Sequence, residues 1–247
     1  RQLELSKQEL EKEYGNLVKR FEEFKGMGLN LNMARGKPSK EQLDFSLPML
    51  DTINSKSDFI GEDKMDCRNY GLLNGITECR KLFADILGVD AENVIVGGSS
   101  SLNMMFDTIS CFMTAPAVEG CKPWYEVKNR KFLCPVPGYD RHFGITQYYG
   151  FELIPIPMDD NGPDMDMVER LVSEDDSIKG IWCVPKYSNP AGITYSDEVV
   201  KRFAALKPAA KDFRIMWDNA YCIHHLVENP PQVLNLMDAC KEAGNPN

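Results

Sequence analysis

Four groups of small or polar residues could do chemistry together, because each follows an apolar, strand-like stretch. Residues 97–101 (Gly-Gly-Ser-Ser-Ser) open a helical segment, and the free N–H groups of a helix N-terminus suit a phosphate. Tyr139 stands in a turn rich in proline and glycine and offers a flat ring. Asn189 offers an amide, and Asp218 with Tyr221 offers a carboxylate beside a phenol.

Each of these groups also has a plain structural interpretation. Residues 97–101 could be a serine-capped turn, and Asp218 could be a helix N-cap; in both cases the two interpretations are equally well supported. Tyr139, taken alone, is better explained as a surface aromatic. The glycine- and serine-rich stretch is neither a Walker loop nor G-x-G-x-x-G, so ATP and NAD are not indicated.

Taken together, the four groups fit one ligand better than they fit four unrelated turns. The ligand that they match is a phosphorylated pyridine. They offer a place for the phosphate, an aromatic ring to stack on the pyridine, amide and phenol hydrogen-bond donors, and a carboxylate for a protonated ring nitrogen. Pyridoxal 5'-phosphate is such a compound, and it accepts electrons only while its ring nitrogen stays protonated. An anionic aspartate maintains that proton.

The elements that must position these groups alternate between strand and helix. Apolar runs predict strands at residues 93–97, 131–136, 151–156, 178–184 and 213–217, and helical spacing predicts helices at residues 75–87, 102–113, 165–172 and 196–206. This alternation is typical of an α/β fold with a mostly parallel sheet. In such sheets, functional residues gather at the carboxyl ends of the strands.

Composition narrows the classes of partner. The chain has 247 residues and a net charge of −9, without a basic patch, so we expect no nucleic acid. No apolar run reaches transmembrane length, so we expect no membrane partner. The charged start gives no sign of a signal peptide. A capping box formed by Ser6 and Glu9 begins an N-terminal helix, which Gly26 and Gly28 end.

The eight cysteines do not indicate disulfides or zinc. There is no C-x-x-C, and Cys134 and Cys183 lie in apolar strand-like runs, so we interpret them as buried thiols. Cys222, His224 and His225 are close in sequence, but no second ligand pair follows at a zinc-like spacing. We therefore expect no metal site and a cytoplasmic protein.

The order of the motifs resembles the fold-type-I pyridoxal-phosphate aminotransferases (class I/II), and most closely the MocR-like bacterial aspartate aminotransferases. The matching strings are residues 32–38 (Asn-Met-Ala-Arg-Gly-Lys-Pro), 68–71 (Arg-Asn-Tyr-Gly), 75–76 (Gly-Ile), 97–102, 137–142 (Pro-Gly-Tyr-Asp-Arg-His), 188–192 (Ser-Asn-Pro-Ala-Gly) and 218–221 (Asp-Asn-Ala-Tyr). The resemblance implies a three-layer α/β fold, with residues 51–247 forming an incomplete cofactor-binding large domain. Residues 1–50 would be a helix and arm belonging to the small domain.

The resemblance also implies roles around the cofactor ring. Asp218 would hold the ring nitrogen, Tyr139 would stack on the ring, and Asn189 and Tyr221 would bond its phenolic oxygen. Asp218 and Tyr221 are the catalytic residues that this chain would supply. Asn189 would also bind substrate, and Gly36 would touch the substrate carboxylate through its backbone.

Further implied contacts concern the phosphate. Gly98, Ser99 and Ser100 would hold it from within the chain. Tyr70 would reach the phosphate bound by the neighbouring subunit, so the resemblance implies a homodimer.

One departure from the family is serious. The family's Schiff-base lysine follows the Asp-x-Ala-Tyr motif by a few dozen residues, but here only Lys241 follows Tyr221. Lys241 has Asp238 and Glu242 beside it, which is typical of a solvated helix lysine. We therefore expect that the Schiff-base lysine is not in this chain and that the chain is truncated and inactive alone. The resemblance also implies a seven-stranded sheet, in which two strands contributed by later sequence lie between the strand at residues 93–97 and the strand at residues 213–217.

The expected reaction is transamination between an amino acid, L-aspartate, and a 2-oxo acid, 2-oxoglutarate. One alternative is another reaction on the same scaffold, such as a β-lyase or a decarboxylase. Another is a pyridoxal-phosphate-binding regulator domain, although no helix-turn-helix precedes the fold. The sequence does not choose a reader of the distal carboxylate among Arg35, Lys37, Arg141 and Lys186.

Overall fold

The computed structural model describes residues 5–31 and 36–245. The chain consists of two compact units. The first ends at Asp58, and the second begins at Phe59. The domain boundary after residue 50 stays a prediction. Much of the matching string at residues 32–38, including Arg35, lies outside the described residues.

Eight α-helices and five strands are found within the described residues. The helices are α1 (Lys7–Gly26), α2 (Lys40–Asp44), α3 (Thr77–Leu87), α4 (Ser101–Thr114), α5 (Asp140–Tyr148), α6 (Met165–Glu174), α7 (Asp197–Ala204) and α8 (Leu236–Glu242). The strands are β1 (Lys131–Val136), β2 (Glu152–Asp159), β3 (Gly162–Pro163), β4 (Ile178–Cys183) and β5 (Arg214–Trp217). Within these parts of the chain, no helix combines the length and apolarity that a membrane crossing requires.

The first unit is helical, and its main helix begins as the sequence predicts. Ser6 accepts a hydrogen bond from the Glu9 backbone N–H, and the Glu9 carboxylate accepts one from the Ser6 backbone N–H at 2.8 Å. This pair satisfies two N–H groups that the first turn leaves without intrahelical partners. A second capping box, formed by Ser39 and Gln42, begins α2.

The second unit contains a five-stranded sheet in the order β3-β2-β1-β4-β5. Its pairings are parallel except for the short β2–β3 pair. Alternate strand residues point to opposite faces: Leu133 and Ile181 pack towards α6, α7 and α8, whereas Phe132 and Trp182 pack towards α4 and α5. The predicted three-layer α/β architecture is confirmed.

The strands predicted after residue 130 are confirmed within a few residues; the runs in β1 and β4 are buried, whereas β5 is half-buried and only one residue of β2 is buried. Cys134 and Cys183 are buried in β1 and β4, as expected. Sequence reasoning missed β3 and α5, since β3 has only two residues and α5 contains few apolar ones.

The strand expected at residues 93–97 is wrong for this chain. A 3-10 turn occupies Ala91–Asn93, and Val94 is extended at φ −102° and ψ 126° but joins no sheet. An extended segment becomes a strand only when a neighbour pairs with its backbone. Among the described residues β5 is the last strand of the sheet on that side, and all its residues are only half-buried.

Candidate active site

A cavity of about 300 Å³ lies beside the carboxyl ends of β1, β4 and β5. Its lining residues are Ser99, Ser100, Ser101, Leu102, Tyr139, Val184, Asn189, Asp218, Ala220 and Tyr221. Three loops bring these residues together, because Tyr139 follows β1, Asn189 follows β4 and Asp218 follows β5 directly. Six of the residues predicted for a site therefore line one cavity.

One wall of the cavity is the N-terminus of α4. Ser100 is the N-cap and accepts a hydrogen bond from the Asn103 backbone N–H at 3.4 Å, so the serine-capped turn is real. A fourteen-residue helix that begins here also directs its dipole and free N–H groups towards the cavity. Gly98 lies just outside the lining, and a Cβ built on it would meet no atom within 4 Å. The two interpretations of residues 97–101 thus describe the same geometry.

Another part of the lining is the buried residue Asp218, which is 9% exposed. Its Oδ2 lies 2.9 Å from Nε2 of His142, which is 1% exposed. The Asp218 backbone N–H donates to the Cys183 carbonyl at 2.8 Å and so fixes the residue to the end of β4. An ionised carboxylate only accepts hydrogen bonds, so Nε2 of His142 is the donor when Asp218 is ionised.

The N-cap interpretation of Asp218 is wrong. The residues after it form turns, and the next helix along the chain, α8, begins at Leu236. Asp218 instead has the buried hydrogen-bonding partner that a carboxylate needs away from water.

Sequence reasoning assigned no role to His142. This residue lies within the string at residues 137–142, one helical turn after Tyr139, and the two rings meet edge-on with centroids 5.1 Å apart. The sequence offers a signal only in this spacing, since His142 and Asp218 are 76 residues apart.

The remaining walls present a ring, an amide and a phenol. Tyr139, Asn189 and Tyr221 are all half-buried and all line the cavity. The loop that carries Asn189 is closed on itself, because the Ile193 backbone N–H donates to the Ser188 hydroxyl at 3.1 Å. A loop held in this way can present its amide at a fixed position.

The predicted site residues that are not part of this lining are Gly98, Tyr70 and Gly36. Tyr70 is 92% exposed in the second unit. Gly36 belongs to the first unit and is exposed directly after the residues that the structure does not describe. Lys241, on α8, is exposed and lies 3.4 Å from Asp238 and 3.9 Å from Asp90.

The cationic residues that could read the distal carboxylate of a substrate differ in burial. Lys186 is 5% exposed, and its ammonium donates to the carbonyl of Cys222 at 3.3 Å, so it links the loop after β4 to the loop after β5. Arg141 and Lys37 are exposed.

Comparison with known proteins shows which family the chain belongs to. The family profile described as aspartate amino-transferase matches residues 5–247. The chain belongs to the aspartate aminotransferase family. It is 47% identical over 232 residues to the aspartate aminotransferase of Corynebacterium glutamicum, an alignment that covers 94% of this chain and 53% of that protein.

Solved structures agree with this membership. An aspartate transaminase from Corynebacterium glutamicum superposes with a TM-score of 0.87 at 45% identity, covering 98% of this chain and 57% of that chain. The α-aminoadipate aminotransferase of Thermus thermophilus, crystallised with N-(5'-phosphopyridoxyl)-L-leucine, has a TM-score of 0.55 at 19% identity, covering 72% of this chain and 41% of that chain. This second likeness concerns the fold alone. This aspartate aminotransferase family member spans about half the length of the relatives it matches.

Proposed function

We propose that the chain supplies the cofactor-holding part of a pyridoxal-phosphate aminotransferase that acts on L-aspartate and 2-oxoglutarate. The observation that carries the proposal is that two unlike groups line one cavity. A serine-lined helix N-terminus and the buried residue Asp218 both belong to the lining. A phosphate and a protonated pyridine nitrogen are the partners that these groups prefer.

The donor set fits the cofactor group by group. Ser99 and Ser100 would hold the phosphate with the N–H groups of α4, and the open backbone at Gly98 would let it approach closely. Tyr139 would cover a ring face.

The chemistry divides between the cofactor and the chain. When bound, pyridoxal phosphate supplies an electron-accepting ring that delocalises negative charge from the substrate α-carbon. Asp218 would hold the proton on the ring nitrogen, and His142 holds Asp218 through the 2.9 Å hydrogen bond. Asn189 and Tyr221 would donate hydrogen bonds to the ring's phenolic oxygen. Burial of Asp218 limits the access of water to that interaction.

The lysine that forms the Schiff base is a separate part of the proposal. We infer that it comes from sequence outside these 247 residues, because Lys241 is exposed among carboxylates and the relatives are about twice as long. The chain alone would then hold the cofactor without turning over substrate.

Dimerisation, substrate contact and location complete the proposal. Tyr70, at 92% exposure, is available to reach a phosphate held by a second copy. Gly36 would contact the substrate carboxylate through its backbone. We place the enzyme in the cytoplasm, where buried free thiols such as Cys134 and Cys183 persist.

The test uses pyridoxamine 5'-phosphate, which needs no Schiff-base lysine. We expect the complete protein, which is this chain together with the sequence proposed to lie outside it, to bind this compound. Asp218→Ala should weaken binding at least about tenfold, since a charge-assisted hydrogen bond is lost. Asp160→Ala, at an exposed turn, is the matched control and should leave binding unchanged. Binding that is equal in all three proteins would refute the assignment of Asp218.

A product assay tests the reaction itself. With L-aspartate, the complete protein should release oxaloacetate and convert 2-oxoglutarate to glutamate. Pyruvate or alanine as the product would instead indicate a lyase or a decarboxylase. Cofactor binding without any product would favour a regulator domain.

A further inference from the structure

Trp182 is a buried side chain of β4 that packs directly on the site histidine. It is 2% exposed, and its ring stacks on that of His142 with centroids 4.8 Å apart and planes 19° apart. Its indole N–H donates to the hydroxyl of Thr146, a fully buried residue of α5, at 3.3 Å. The indole is therefore fixed both by packing and by a hydrogen bond.

The orientation of the His142 ring decides whether Asp218 has its donor. Rotation about the Cβ–Cγ bond of histidine has broad, roughly two-fold minima, and a half-turn puts a carbon where a nitrogen was. Only one of these orientations places Nε2 at 2.9 Å from Oδ2 of Asp218. Trp182 covers one face of the imidazole, and Tyr139 meets it edge-on.

We propose that Trp182 is a positioning residue, which holds the His142 imidazole in the orientation that donates to Asp218 and so keeps that carboxylate aimed at the cavity. The expected effect of Trp182 on cofactor binding rests on the proposed function. Its expected effect on the orientation of the His142 ring does not. Trp182 acts through His142 and does not line the 300 Å³ cavity.

Trp182 is also part of the apolar core, since its ring lies 5.2 Å from that of Phe132. A loss of stability alone would therefore prove nothing. Trp182→Phe keeps a stacking ring, whereas Trp182→Leu removes it. Phe151→Leu is the matched control, because Phe151 belongs to the same core cluster and its ring contacts those of Trp124 and Phe132.

The experiment records the ring nitrogens of histidine by long-range proton–nitrogen NMR in the complete protein, with His142→Gln to assign the signal. We expect the wild type and Trp182→Phe to show one tautomer of His142, protonated on Nε2. Trp182→Leu should show averaged nitrogen signals, and Phe151→Leu should match the wild type. Should Trp182→Leu not fold, Trp182→Met, which is also non-aromatic, replaces it.

A second readout separates this proposal from the proposed function. We expect Trp182→Leu to weaken binding of pyridoxamine 5'-phosphate about tenfold and Trp182→Phe by less than about twofold. An unchanged His142 signal in Trp182→Leu would overturn the positioning role, even if the wild type binds pyridoxamine 5'-phosphate. An averaged signal in a protein that binds no pyridoxamine 5'-phosphate would instead support the positioning role and contradict the proposed function.

Discussion

The substitution Asp212→Ala tests how the strands that carry the site are held in register. Asp212 is 3% exposed and accepts hydrogen bonds from the Lys179 ammonium at 2.8 Å and from the Trp124 indole N–H at 2.9 Å. Lys179 belongs to β4, and Asp212 lies two residues before β5. The pair therefore links the starts of the two strands whose opposite ends present Asn189 and Asp218.

The magnitude follows from what the substitution leaves behind. Lys179 is 6% exposed, so Asp212→Ala strands an ammonium in the interior and also removes the partner of the Trp124 N–H. Breaking a buried pair in this way costs about 3–5 kcal/mol of unfolding free energy. At about 2 kcal/mol per molar urea, the unfolding midpoint should fall by about 2 M.

Urea unfolding followed by tryptophan fluorescence measures this change. The double variant Lys179→Met with Asp212→Leu should recover most of the lost stability, because well-packed apolar residues can replace a buried ion pair. Asp176→Ala, at an exposed position, is the control. A loss below about 1 kcal/mol in Asp212→Ala, or a double variant as unstable as the single one, would refute the reasoning.

Two further predictions concern ionisation. Asp175 is partly desolvated, but hydrogen bonds from Lys131 and Ser177 hold its pKa at about 2. This pKa lies below the value of about 4 in the unfolded chain. The contribution of Asp175 to stability should therefore be lost as the pH falls from about 4 to about 2. Asp175→Asn should flatten the pH dependence of urea unfolding in that window, and an unchanged slope would contradict the ion pair. Burial raises the pKa of the Cys134 thiol to about 12 and raises that of Cys183 as well. Iodoacetamide at pH 8 should therefore modify the exposed Cys67 at least about tenfold faster than either buried thiol, as peptide mass spectrometry would show; equal rates would contradict their burial.

Much of the fold could be predicted from local pattern. The Lys131–Val136 strand is a buried apolar run, and the helix from Ser101 begins at a serine cap, so each is encoded by neighbouring residues. Residues 93–97 carry an equally apolar run but form no strand here, because pairing depends on a neighbour that local sequence does not specify.

The candidate site shows the same division. Its residue types and their places after the strands are written in the sequence, because the carboxyl ends of parallel strands share one edge. The sequence alone therefore determined the family, the α/β class, and the candidate roles of Tyr139, Asn189 and Asp218.

Only the tertiary structure decided which side chains meet. The bond between His142 and Asp218 joins residues 76 positions apart, and the stack of Trp182 on His142 joins a strand to a helix. Both contacts depend on the strand order β1-β4-β5. In this order β4 lies next to β1, and β5 lies next to β4, so the loop after β1 is close to the ends of both. Sequence patterns report which face of an element is buried, but the partner across that face is chosen by the packing of the whole sheet.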